Sequence, residues 1–104
     1  MERRKENWQY FTKTYPEIRE AYEAFGKTIG EEAGPLDAKT CALIKLGIAA
    51  ASNYDTAMRS HIEKALAVGC TPEEIEHAIL QVATTAGFPR MMMALLVWRE
   101  ERES

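Results

Sequence analysis

The sequence is short of several things, and each shortage removes a class of function. It contains two cysteines, Cys41 and Cys70, in unrelated local contexts, which is no disulfide framework. It contains two histidines, His61 and His77, and neither has a second histidine or a cysteine at ligand spacing, so no metal site is expected. Positive charge is not in surplus: the formal net charge is -3, which gives no phosphate-neutralising stripe and argues against nucleic acid as a partner. The basic run Arg3-Arg4-Lys5 is diluted at once by Glu2 and Glu6. No apolar h-region with a small-residue cleavage site opens the chain, so no secretory leader is expected. The longest apolar-rich run, Cys41–Ala51, contains Lys45 and falls well short of the roughly 20 residues a membrane span requires. No strand-like alternation, low-complexity tract or internal repeat is present. These absences predict a cytoplasmic protein with reduced thiols, no cofactor and no membrane partner.

What remains is helical periodicity. At 104 residues the chain suits one domain. Residues 1–15 form an aromatic arm or short helix with Trp8 and Phe11 three apart on one face, and residues 16–104 form a helical domain. Pro16 disfavours helix at Tyr15 and is itself suited to open the next one. Ile18, Tyr22, Phe25 and Ile29 then recur as a helical stripe, and Gly30–Pro35 is expected to be a loop.

Asp37 is the expected cap of a helix over Ala38–Ala51 that is apolar almost all round. Such a helix should be enclosed by its own domain or by neighbouring subunits. Gly47 inside it costs about 1 kcal/mol relative to Ala, a cost that a close helix crossing would offset. After a break at Ser52-Asn53, a helix over about Tyr54–Val68 carries apolar positions Tyr54, Ala57, Met58, Ile62, Ala65 and Leu66. Arg59, Ser60, Glu63 and Lys64 fall on the other side, and Gly69 is the stop. Thr71-Pro72-Glu73-Glu74 reads as a capping box. Ile75, Ala78, Ile79, Val82 and Ala83 give the next stripe. Gly87-Phe88-Pro89 repeats the stop-and-start pattern before a last helix from Arg90 to about Glu101. That helix includes Met91, Met92, Met93 and Trp98 and is also too apolar for a solitary surface helix. The fold class is all-α, a bundle of about five to six helices. Two helices without polar faces in so small a domain predict a homo-oligomer.

His61 is the candidate for chemistry. It lies at i+7 from Tyr54 and i+4 from Ala57, among the apolar positions of its helix. A histidine there is either a packed core residue or a proton-transfer group. Lys45, within the apolar helix, reads as a side chain leaning out to solvent. Cys41 reads as small-residue packing. Cys70, just before the Thr71 cap, either has its thiol pKa depressed by the helix N-terminus or packs on Ile75 as a staple. His77 is flanked by Glu73, Glu74 and Gln81 and reads as solvated.

Three phrases in order, LDAKT at 36–40, SHIEKALAVGCTPEEIEHAIL at 60–80 and AGFP at 86–89, make the chain resemble the carboxymuconolactone decarboxylase-like superfamily, which includes alkylhydroperoxidase D. The resemblance implies an all-α fold and a homo-oligomer, commonly a trimer or hexamer. Peroxidase members carry a glutamate, a C-x-x-C pair and a histidine four residues after the second cysteine. Carried over, the histidine is His61, the cysteine positions are Tyr54 and Ala57, and the glutamate position is Ala42, so the dithiol and the glutamate are absent. A dithiol peroxidase needs one thiolate to attack peroxide and a second thiol to resolve the sulfenate, so that activity is not expected. Members similar to the decarboxylase proper also lack the cysteines. For that class the resemblance implies proton transfer by His61 on a small lactone acid, with Lys45 and Tyr54 as substrate-binding residues. The alternatives are a non-catalytic helical assembly module that kept the fold, and residual peroxidase activity through Cys41 or Cys70.

Overall fold

A computed structural model describes residues 2–103. Among them there is no strand, as the periodicity predicts. The helices are α1 (Glu2–Thr14), α2 (Pro16–Lys27), α3 (Ala38–Ala51), α4 (Asp55–Ala67), α5 (Pro72–Leu80), α6 (Val82–Thr85) and α7 (Phe88–Glu103), with a π-helical turn over Thr28–Glu32 after α2. The chain divides into two compact units, Met1–Pro35 and Leu36–Ser104.

In the first unit α1 and α2 meet at Tyr15, an uncapped N-cap with Pro16 in the first turn. The rings of Trp8 and Phe11 stand 5.7 Å apart, those of Phe11 and Tyr15 6.3 Å, and the Arg19 guanidinium lies 5.4 Å from the Trp8 ring centre. The expected loop over Gly30–Pro35 begins late, because Gly30, Glu31 and Glu32 continue the helical path. One glycine costs a helix only about 1 kcal/mol, and glutamate is a good helix former. The stripe Ile18, Tyr22, Phe25 and Ile29 is exposed, Phe25 to 66%.

The second unit has one core, built where α3 packs against α4, α5 and α7. Leu46, Ala49 and Ala50 of α3 meet Met58, Ile62 and Ala65 of α4, Ile75 and Ile79 of α5, Val82 of α6, and Met91, Ala94, Val97 and Trp98 of α7. Every one of these positions except Trp98 is aliphatic or a thioether. The indole satisfies its single donor by reaching Glu76 Oε1 at 3.0 Å, so its burial leaves no N–H unpaired.

The helix ends are chemically specified. Asp37 Oδ1 accepts from the Thr40 N–H at 2.8 Å and caps α3 as expected, and the Thr40 side chain, followed by this N–H, lowers the Asp37 pKa. Thr71 and Glu74 form the full reciprocal capping box of α5, with bonds of 3.0 and 2.8 Å. Gly69, at φ +96°, closes α4 by donating to Leu66 O while Cys70 N–H donates to Ala65 O, the two-bond closure that favours a left-handed residue. Asn53 performs the same closure of α3 at φ 63°, with Asn53 N–H to Ala50 O and Tyr54 N–H to Ala49 O. Arg90 Nη1 adds a 3.0 Å bond to Ala51 O, joining the start of α7 to the end of α3.

Two features of α3 bear on what encloses it. A methyl placed on Gly47 would meet nothing within 4 Å, so no close crossing offsets its cost among the described residues. Nor does the chain itself enclose the helix: Ile44 is exposed and Ile48 is 61% exposed. The apolar excess on α7 is likewise split, with Met91 buried and Met92, Met93 and Leu96 outside. One small core has too little facing area to cover two helices on all sides.

Candidate functional site

His61 sits in the middle of α4, half-buried, where the following residue Ile62 enters the core. Its pKa is pushed below the ordinary 6.5, first by desolvation and then by the positive charges of Lys64 and Lys45. The imidazole is therefore neutral at neutral pH and carries one acceptor nitrogen. Lys64 is three residues on along the same helix, whereas Lys45 comes from α3 and is exposed. Both lysines act on the imidazole in the same sense, disfavouring its protonated form.

Tyr54 is elsewhere. It is the N-cap residue of α4, is 67% exposed, and lines a recess of about 120 Å³ where α3, α4 and α7 meet. Met58, Met93 and Val97 form its apolar floor, and Asn53, Tyr54 and Asp55 its polar rim. His61 and Lys45 do not line it. Lys45 thus contributes to the electrostatics of His61, while Tyr54 lines a separate concavity.

The thiols and the second histidine have ordinary surroundings. Cys70 is 4% exposed, points its Sγ at Lys39 O at 3.7 Å, and has its pKa raised, chiefly by burial and then by Glu74. Burial outweighs any favourable effect of the helix N-terminus, so this thiol is a poor nucleophile. Cys41 Sγ lies 3.7 Å from Leu36 O. His77 is exposed and pairs with Gln81, Nε2 to Nε2, at 3.0 Å. No cluster of metal-ligating side chains occurs among the described residues, and no helix among them is long and apolar enough to cross a membrane.

Sequence reasoning missed Arg59, which it placed on the solvated side of α4. Its side chain is only 16% exposed and is held by Asp55 through Nε, by Glu100 at 2.8 Å and by Glu101 at 3.9 Å. These carboxylates raise its pKa further. The i,i+4 spacing of Asp55 and Arg59 was visible in the sequence, but the α7 partners lie 41 residues or more away and gave no local signal.

The comparisons with known proteins agree with this frame. Residues 16–100 match the model of the carboxymuconolactone decarboxylase family, beginning at the first residue of α2. Over 85 residues the chain is 36% identical to an uncharacterized 15.0 kDa protein in the nqo9-nqo10 intergenic region of Paracoccus denitrificans. That similarity covers 76% of this chain and 62% of the relative, so the chain spans about three fifths of that protein's length. An all-α chain with this ordered set of helices and a family match over most of its residues belongs to the carboxymuconolactone decarboxylase family.

Proposed function

We propose that this protein binds a small carboxylate-bearing metabolite beside His61 and uses the imidazole for proton transfer, as a lactone decarboxylase-type enzyme without thiol chemistry. One observation supports the reading: the half-buried imidazole of His61 has its pKa lowered, first by desolvation and then by the positive charges of Lys64 and Lys45. A carboxylate bound there offsets both ammonium groups, so their opposition to a third positive charge disappears and the imidazole gains proton affinity. Ligand binding therefore converts His61 from a neutral acceptor into a proton donor. In the reaction, the bond from carbon to the leaving carboxylate breaks and carbon dioxide departs. The electron pair passes into the conjugated lactone carbonyl, and the imidazolium returns a proton to carbon. Lys45 is the anion-binding cation, worth most where the enolate charge develops. A hydroxyl-donor role for Tyr54 requires a ligand spanning two turns of α4, about 10 Å, and Tyr54→Phe tests it separately.

The test is a titration of the His61 ring signals by NMR, with and without a γ-lactone carboxylic acid, together with carbon dioxide release. The ligand should raise the His61 pKa, and His61→Ala should lower turnover by about 100-fold or more, in the range of general acid–base catalysis. No shift and no carbon dioxide release would remove the reading.

A non-catalytic homo-oligomeric module is the second reading, favoured by the exposed apolar positions Ile44 and Ile48 on α3 and Met92 and Leu96 on α7. Both readings place an interface between copies of the chain on these helices. Only the first requires His61 to respond to a carboxylate.

A further inference from the structure

The recess beside Tyr54 has a chemistry opposite to that of the His61 surroundings. Its floor is two thioethers and an isopropyl group, from Met58, Met93 and Val97. Its rim offers the Tyr54 ring, the Asn53 amide and the Asp55 carboxylate. Asn53 is held in the left-handed region, and its N–H and that of Tyr54 are both engaged in closing α3, so the rim is rigid backbone. Arg59 binds Asp55 and also pairs with Glu100 and Glu101, so one guanidinium is shared among three carboxylates, and Asp55 remains 65% exposed at its side chain. The negative charge at the mouth is therefore only partly neutralised by Arg59. An aromatic residue and a carboxylate lining one recess together with apolar side chains match the chemistry that recognises an organic ammonium group with a short hydrocarbon body. The volume sets the size of that body. A dry cavity of roughly 150 Å³ takes a benzene ring, so about 120 Å³ takes a chain of about four carbons.

We infer that this recess is a second small-molecule site, independent of His61, which takes a short alkylammonium ligand with its hydrocarbon chain on Met58, Met93 and Val97 and its ammonium group between the Tyr54 ring and the Asp55 carboxylate. The site excludes carboxylates, because Asp55 repels them at the mouth. It therefore does not compete for the anionic ligand of His61, and the two sites stand or fall separately.

The experiment titrates the full-length protein with n-butylammonium, n-butyrate and n-butanol while following the methyl signals of Met58, Met93 and Val97 and the Tyr54 ring signals. Butylammonium should give saturable shifts, with butyrate and butanol at least fivefold weaker. Asp55→Asn should remove the preference for ammonium over butanol, a change in selectivity that a merely structural role for Asp55 would not produce. Should that variant unfold, Tyr54→Leu keeps the apolar wall and should weaken butylammonium at least threefold. Non-saturating shifts, equal binding of butyrate or butanol, or unchanged selectivity in the variants would overturn the assignment. So would shifts that appear on raising protein concentration alone, since a second copy would then be occupying the recess.

Discussion

At the scale of single residues, the protonation of His61 is the most informative quantity. Desolvation and two like charges depress its pKa in the folded protein. The unfolded chain therefore binds a proton more readily than the folded one below about pH 6.5. The contribution of His61 to stability is thus complete above the unfolded pKa and is lost as pH falls through the folded value. Chemical denaturation at pH 7.5 and at pH 5.5 should show the wild type losing more stability on acidification than His61→Gln does. Lys45→Met should move the His61 pKa upward, read directly from the ring signals, because it removes one of the two like charges. If the variant leaves that pKa where it was, Lys45 does not act on the imidazole and its place in the proposed site is lost. Cys70 sharpens the same point about environment. A position that local sequence marks as a helix N-terminus has its thiol pKa raised rather than lowered, because the core around it is closer than the helix dipole is strong.

Elements are joined in the second unit by a few polar clamps laid over a continuous apolar core. Arg59 connects the first turn of α4 to the last turns of α7, and Arg90 connects the first turn of α7 to the end of α3. Asp55 and Glu100 are both more than half exposed, which keeps the Arg59 clamp well below the cost of breaking a fully buried pair. Arg59→Met should destabilise the protein by about 1–2 kcal/mol in urea denaturation, from two lost charge-assisted bonds discounted for solvent. Gly47 predicts the opposite sign. It is helical and a methyl meets nothing there, so Gly47→Ala should stabilise by about 1 kcal/mol on propensity. A loss in place of that gain would mean that another copy of the chain approaches α3 at this glycine.

On the scale of the whole molecule, the core occupies one face of α3 and of α7 and leaves the opposite faces apolar and outside. Such faces are covered in water when a stable state exists that covers them, and a second copy presents the same faces in the same geometry. Ile48→Asp separates association from folding. Because Ile48 is 61% exposed within the chain, the substitution should cost the isolated subunit less than about 1 kcal/mol. Sedimentation should nevertheless shift toward the monomer. A wild-type protein that sediments only as a monomer at micromolar concentration would dismiss the interface altogether.

Much of this architecture was written locally. The starts at Asp37 and Thr71 are set by side chains three residues from their partners. The stop at Gly69 needs only a residue tolerant of positive φ. The buried stripes of α4 and α5 follow from 3.6-residue periodicity, and the missing cysteine pair can be read without coordinates. All of these depend on neighbours within one or two turns, which is the range over which sequence specifies geometry. What tertiary structure alone decided involves partners far apart in the chain. It drew Arg59 out of the solvated face onto carboxylates of α7, left Gly47 open where a crossing was expected, and turned the α2 stripe outward. It also set Tyr54 on a recess that His61 and Lys45 do not line. Contact between distant residues depends on how helices pack across the core, and no periodicity within a single helix encodes which of its neighbours will stand opposite.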